Sequence, residues 1–260
     1  MLGGILEALF PKRCAGCGAG PWPFCGPCRR LVVVLEPPWC GRCGAPSTRS
    51  VRACRHCPPE AIARARAPFL FEGPVRRAVH RLKFAGWRPV AEALGGAMVA
   101  VCEDRPDVAT WVPLSRRRLA ERGFDQARAL AVVVARELDV PVVPLLRRVG
   151  DPGPQARRGG PARRAAMRGT FEAVSTPPRR VLLVDDVLTT GATAGACAEV
   201  LLGAGASEVG VLTAARAVSG APSILGPGPA SGSVVARGGG SPVVDASRGR
   251  SDPRKPTLGR

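Results

Sequence analysis

The chain has 260 residues, a formal net charge of +18 and ten cysteines. That length holds one medium domain and a small one, and no apolar run approaches the ~20 residues of a membrane-spanning helix. The charge favours polyanionic partners, either phosphorylated metabolites or nucleic acid. Only three of the 38 basic residues are lysines and tyrosine is absent, a bias that GC-rich coding also produces. The opening Met1–Phe10 has no basic stretch and no small-residue cleavage site, so it does not read as a secretion signal. A cytoplasmic chain is therefore expected, with cysteines that bind metal rather than form disulfides.

Eight cysteines form four Cys-x-x-Cys pairs: Cys14/Cys17, Cys25/Cys28, Cys40/Cys43 and Cys54/Cys57. Two pairs make one tetrahedral thiolate site, so residues 1–58 read as a double zinc-ribbon module holding two structural zinc ions. The pairing can be sequential, or cross-braced with the first pair joined to the third, and spacing does not choose. A thiol-exchange role for one pair is the rival reading. His56 lies inside the last pair but is surplus to four thiolates. Residues 1–58 carry eight Lys/Arg against two Glu, and two four-thiolate sites of about −2 each leave the metallated module only mildly basic.

Residues 59–218 alternate between helical and strand patterns, the signature of an α/β domain with a parallel sheet flanked by helices. Helices are expected over Val75–Phe84, Val90–Cys102, Phe124–Leu138 and Ala192–Leu202, the last ended by Gly203 and Gly205. Strands are expected over Val108–Val112, Val142–Leu145, Val181–Val184 and Val209–Ala214. Residues 219–260 differ: 22 of these 42 residues are Gly, Pro or Ser, and such a segment reads as a disordered tail.

The most informative stretch is Val181-Leu-Leu-Val-Asp-Asp-Val-Leu-Thr-Thr-Gly-Ala-Thr193. A short apolar strand leads to two carboxylates, then to a loop of small and hydroxylated residues that opens a helix. This order suits a ribose 5-phosphate. Asp185 and Asp186 can accept from the ribose hydroxyls, while Val187, Leu188, Thr189, Thr190, Gly191, Ala192 and Thr193 offer amides, hydroxyls and a helix N-terminus to the phosphate. Gly191 lets the backbone come close to the anion. The plainer alternative is a strand-to-helix turn with an Asp pair serving as caps.

The stretch resembles the PRPP-binding motif of the type I phosphoribosyltransferases. Val112-Pro-Leu-Ser115, Arg122-Gly-Phe-Asp-Gln126, Gln155, Arg163–Phe171 and the cysteine pairs follow in the order seen in the ComF/GntX family of competence-associated, phosphoribosyltransferase-like proteins. The resemblance covers roughly residues 9–217. It implies a type I phosphoribosyltransferase-like domain over 59–218, with ribose held by Asp185 and Asp186 and phosphate by the Thr189–Thr193 loop. Ser115 and Arg116 stand in the candidate pyrophosphate loop, the plainer alternative being an exposed basic helix start, and Lys83 is a candidate phosphate contact or else a solvated helix-end lysine. Arg164 belongs to an arginine-rich segment, Arg157 to Arg168, that corresponds to the catalytic lid. Mg²⁺ is implied as a companion of PRPP, held mainly by substrate and water.

Two positions depart from the family. Asp125 replaces an Asn and is expected to face a metal, an arginine or solvent. Ala166 stands where the family shows Asn in the lid. Three readings follow: a Mg²⁺-dependent phosphoribosyltransferase linked to DNA uptake, a PRPP- or DNA-binding accessory factor without turnover, and a zinc-ribbon adaptor for single-stranded DNA. Neither the acceptor substrate nor the oligomeric state is legible.

Overall fold

A computed structural model describes residues 13–84, 89–150 and 169–218. The Gly/Pro/Ser-rich segment 219–260 and the arginine-rich segment through Arg168 lie outside the described residues. So do Met1 to Lys12.

Strand order in the main sheet is β1-β7-β6-β3, all parallel, with β2 also pairing β7. The strands are β1 (Arg64–Arg66), β2 (Phe69–Leu70), β3 (Val108–Trp111), β6 (Arg180–Leu188) and β7 (Glu208–Arg216). Two more, β4 (Leu146–Arg148) and β5 (Phe171–Ala173), form a separate antiparallel ribbon. The helices are α1 (Gly26–Arg30), α2 (Gly73–Phe84), α3 (Pro89–Ala100), α4 (Arg116–Arg122), α5 (Gln126–Leu138) and α6 (Ala192–Gly203).

The continuous apolar runs of β6 and β7 are those of strands buried on both faces. Because side chains alternate along a strand, Val181 and Leu183 enter one core with Val209 and Val211, covered by Ala194, Cys197, Ala198 and Leu201 of α6. Leu182 and Val184 enter the other with Leu212 and Ala214, covered by α2, α3 and α5 through Val79, Leu82, Leu94, Met98 and Leu130. Helices α3 and α5 approach closely because Gly95 has no side chain: a Cβ there would lie 2.6 Å from Val133 Cγ1.

The sequence expectations for helices hold to within about two residues, as expected of fraying ends. One strand is corrected. Val142–Leu145 is not a strand but a single parallel bridge, Val142 to Ala109, and the strand begins at Leu146. Pro141 and Pro144 lack amide donors and cannot sustain a ladder there. The strand carrying the acids is also longer than expected: β6 continues past Val184 to Leu188, hydrogen-bonded to β7 alone beyond the end of β3.

Candidate functional site

The four-thiolate clusters resolve the pairing as sequential: Cys14, Cys17, Cys25 and Cys28 converge in one, Cys40, Cys43, Cys54 and Cys57 in the other, all sulfurs of a cluster within 4.8 Å of one another. Sulfurs approach to 3.7 Å (Cys17–Cys25), 3.6 Å (Cys40–Cys57) and 3.5 Å (Cys43–Cys54). Tetrahedral zinc with Zn–S bonds of about 2.3 Å needs sulfurs about 3.8 Å apart, so the residues fit the ion. Amides also point at sulfur, from Cys25 to Cys14 at 3.3 Å and from Cys54 to Cys57 at 3.3 Å. Burial opposes ionisation of Cys14, but the amides of Cys17, Cys25 and Gly16 outweigh it and bring the thiol down to about 6. His56 is not a ligand; its Nε2 accepts from Arg55 Nε.

At the C-terminal end of the sheet, strand alternation separates the two acids. Asp186 continues the Leu182–Val184 face toward α2 and α5, whereas Asp185 continues the Val181–Leu183 face toward α6, where its charge reaches Cys197. Asp186 is 5% exposed and both its oxygens are engaged. Lys83 Nζ, near the end of α2, lies 2.7 Å from Oδ1. Gln126 Nε2, at the start of α5, donates to Oδ2 at 2.9 Å. The side-chain Oε1 of Gln126 in turn accepts from Arg122 Nη1 at 3.0 Å, and Arg122 lies over the Phe84 ring. Lys83 is thus neither solvated nor isolated: it neutralises a buried carboxylate.

Asp185 accepts the Asp186 amide at 2.8 Å. Burial, and then the adjacent Asp186 charge, push its carboxyl up to about 8. A carboxyl held so far above its usual range marks a candidate functional group.

After Leu188 the chain turns through Thr189 and Thr190 into Gly191, the N-cap of α6, with φ of 73°. That left-handed conformation favours glycine. Thr190 Oγ1 accepts from the Ala192 amide at 3.4 Å, and Gly195 N closes the first turn onto Gly191 O. Thr189 is exposed and Thr193 half-buried, while Gly191 and Ala192 are buried.

Ser115 caps α4, accepting from Arg118 N at 3.4 Å, and Arg116 is exposed on its first turn. Both line an open groove of about 1370 Å³ with Trp111, Arg128, Arg147 and Arg148. None of Asp185, Asp186 or Thr189–Thr193 lines it. Arg147 is paired with Glu172, Arg148 Nε donates to Gly150 O, and Arg128 lies over the Trp111 ring.

Asp125 is half-buried on the wall of this groove, and its carboxylate accepts from three backbone amides. Oδ1 accepts from Ala127 and Arg128 as the N-cap of α5, and Oδ2 from Leu114 at 3.3 Å. Orphan helix-end donors take a carboxylate or an amide oxygen equally well, which accounts for Asp where the family has Asn. Arg164 and Ala166 lie outside the described residues.

Gln126 as the partner of Asp186, and Arg216 at the end of β7, were not singled out by sequence. Arg216 is 2% exposed, and a terminal strand arginine gives no local signal of burial.

A double zinc ribbon domain model matches residues 5–58. Over 207 residues the chain is 30% identical to DNA utilization protein YhgH of Escherichia coli O157:H7, covering 74% of this chain and 89% of that protein. It is 28% identical over 209 residues to competence protein F of Haemophilus influenzae, covering 75% and 90%. Among solved structures, the allosteric regulatory enzyme of purine biosynthesis aligns over 48% of this chain at 24% identity with a TM-score of 0.34. The chain spans 25% of that enzyme's length, a likeness too slight to carry an argument. The identity to YhgH across most of both chains, together with the double zinc ribbon, shows that the chain belongs to the ComF family.

Proposed function

We propose that the chain binds PRPP together with Mg²⁺ at the C-terminal end of β6 and transfers or senses its phosphoribosyl group in the service of DNA uptake. The observation that carries this is the joining of a raised-pKa carboxylate, Asp185, to a Gly191-capped helix start six residues later. An electron-rich ribose site and an amide-rich phosphate site then lie at the ligand-binding end of a parallel sheet. Process is read from the relatives, one named a competence protein and the other a DNA utilization protein.

In this reading Asp185 accepts from a ribose hydroxyl, and Asp186 stands behind it, held by Lys83 and Gln126. Thr189 to Thr193 surround the 5′-phosphate. Ser115 and Arg116 serve the diphosphate end, where the family resemblance also assigns a role to Arg164. Mg²⁺ would be held mainly by the substrate and water, as suits a hard ion that dehydrates reluctantly, and would supply positive charge to the leaving diphosphate.

Titration calorimetry of the zinc-loaded protein with PRPP and Mg²⁺ tests the reading. Saturable binding is expected in wild type, lost in the Asp185→Ala, Asp186→Ala double variant. Absence of binding in wild type would overturn it. A PRPP-consumption assay across bases and amines, with and without single-stranded DNA, then separates turnover from binding alone. Binding of single-stranded DNA that survives loss of both acids and falls with salt would instead favour the adaptor reading.

A further inference from the structure

The second zinc ribbon is joined to the loop between β6 and α6 at both of the loop's ends. Pro58 and Pro59 directly follow Cys57, the last thiolate of that cluster. A Cβ on Gly191 would come within 2.5 Å of Pro58 Cβ, and one on Gly195 within 2.6 Å of Pro59 Cγ. The two prolines therefore lie directly against the backbone of the loop's left-handed residue and of the first turn of α6. Glycine at these positions is a condition of that contact.

The other end is tied by Arg216. This last residue of β7 registers against Leu188, immediately before Thr189. Its guanidinium donates to Cys43 O and to His56 O, each at 2.9 Å, so it bridges one carbonyl from each knuckle of the cluster. Arg42, inside the first of those knuckles, closes the arrangement by donating to Pro59 O at 2.8 Å and Ile62 O at 3.2 Å. A buried guanidinium needs those carbonyls where they are, and the carbonyls keep their places only while the knuckles stay folded around metal. The first ribbon is fastened elsewhere, to α2, through Arg77 on Gly16 O and Arg81 on Cys14 O and Ala15 O.

We propose that the second ribbon is the supporting wall of the phosphate loop, so that zinc in its cluster and phosphoribosyl binding promote one another. Pro58, Pro59 and Arg216 act as positioning residues that hold the Thr189–Thr193 backbone in shape. The inference rests on the reading of this loop as the 5′-phosphate site. Linkage is reciprocal: whatever factor the metal gives to ligand affinity, the ligand returns to metal affinity.

The test uses the full-length, zinc-loaded chain and two readouts. Zinc release to a chromogenic chelator is followed with and without Mg²⁺ and PRPP, the Cys54→Ser variant identifying the phase that belongs to the second cluster. PRPP is expected to slow that phase about tenfold, within the usual range of couplings between sites. Gly195→Ala, which presses on Pro59 without touching the loop hydroxyls, should speed the same phase and weaken PRPP binding in calorimetry. PRPP binding that leaves second-cluster release unchanged, with Gly195→Ala binding normally, overturns the proposal. Should wild type bind no PRPP, the functional reading falls and hydrogen exchange of the amides from Thr189 to Ala194 decides the linkage. Faster exchange on chelation of the second cluster sustains it, and unchanged exchange overturns it.

Discussion

Lys83 Nζ stands 2.7 Å from Asp186 Oδ1, joining the last turn of α2 to the strand that carries the acid pair. With Gln126 on the other oxygen, a carboxylate on the strand between two core layers is held by one cation and one amide from two different helices. The arrangement fixes the strand end before any ligand arrives, which is the kind of support a precise binding site needs.

Removing the cation should therefore cost more than a surface ion pair. Lys83→Met leaves a buried carboxylate with a single neutral donor, and a loss of about 2–4 kcal/mol in unfolding free energy is expected. Urea denaturation of the zinc-loaded chain measures it. Combining Lys83→Met with Asp186→Asn should return a large part of the loss, since the uncompensated charge is gone. A double variant as unstable as the sum of its parts would show that the pair does not interact.

Asp185 gives a pH dependence of definite sign. Its carboxyl sits at about 8 in the folded chain, raised from 3.8 by burial first and the Asp186 charge second. Between those two values the folded state binds more protons than the unfolded one, so stability falls as pH rises through the window and is regained on acidification toward it. Denaturation midpoints of the zinc-loaded chain between pH 6.5 and 8 should decline with pH in wild type. Asp185→Asn should flatten that slope and stabilise the ligand-free chain by about 1–2 kcal/mol, while abolishing PRPP binding. A slope unchanged by the substitution would remove Asp185 as its source.

Asp125 is a cap, and its variants should behave as caps do. Asp125→Ala strips acceptors from Ala127, Arg128 and Leu114 and is expected to cost about 1–2 kcal/mol. Asp125→Asn keeps one oxygen for the two helix amides and should cost less than half as much. Equal losses for the two variants in thermal unfolding would show that charge, not capping, is the role of the residue.

The closeness of α3 and α5 predicts a packing penalty at Gly95. A methyl group there meets Val133 Cγ1 at 2.6 Å, so Gly95→Ala should lower stability by about 1–3 kcal/mol. Val133→Ala in the same chain should recover part of it, as judged by the denaturation midpoint.

Much of this was legible in local pattern. The four Cys-x-x-Cys pairs announce two metal sites because two thiolates separated by two residues fit one turn around an ion. The apolar runs Val181–Val184 of β6 and Val209–Leu212 of β7 announce strands covered on both faces because nothing polar interrupts them there. The site's supports were not legible in the same way. Lys83 read as a phosphate contact or a solvated helix-end lysine and Gln126 only as part of the Arg122–Gln126 stretch, since their partner Asp186 is about a hundred and about sixty positions away in the chain. Val142–Leu145 read as a strand because its apolar residues match the pattern, while the neighbouring prolines decide otherwise through their missing donors.

What the sequence determined alone was the chemistry on offer: thiolates in fours, a pair of carboxylates at a strand end, and a glycine where a loop becomes a helix. These are matters of residue type and spacing along one segment. Tertiary structure alone decided how they are used. Strand alternation sent Asp185 and Asp186 to opposite faces, which leaves one acid neutralised by Lys83 and the other raised toward neutrality. Sequential pairing of the cysteines, with Pro58 and Pro59 seated on Gly191 and Gly195, set the second thiolate cluster beside the Thr189–Thr193 loop. Such relationships depend on distances between segments far apart in the chain, and packing settles them only once the sheet and its helices have formed.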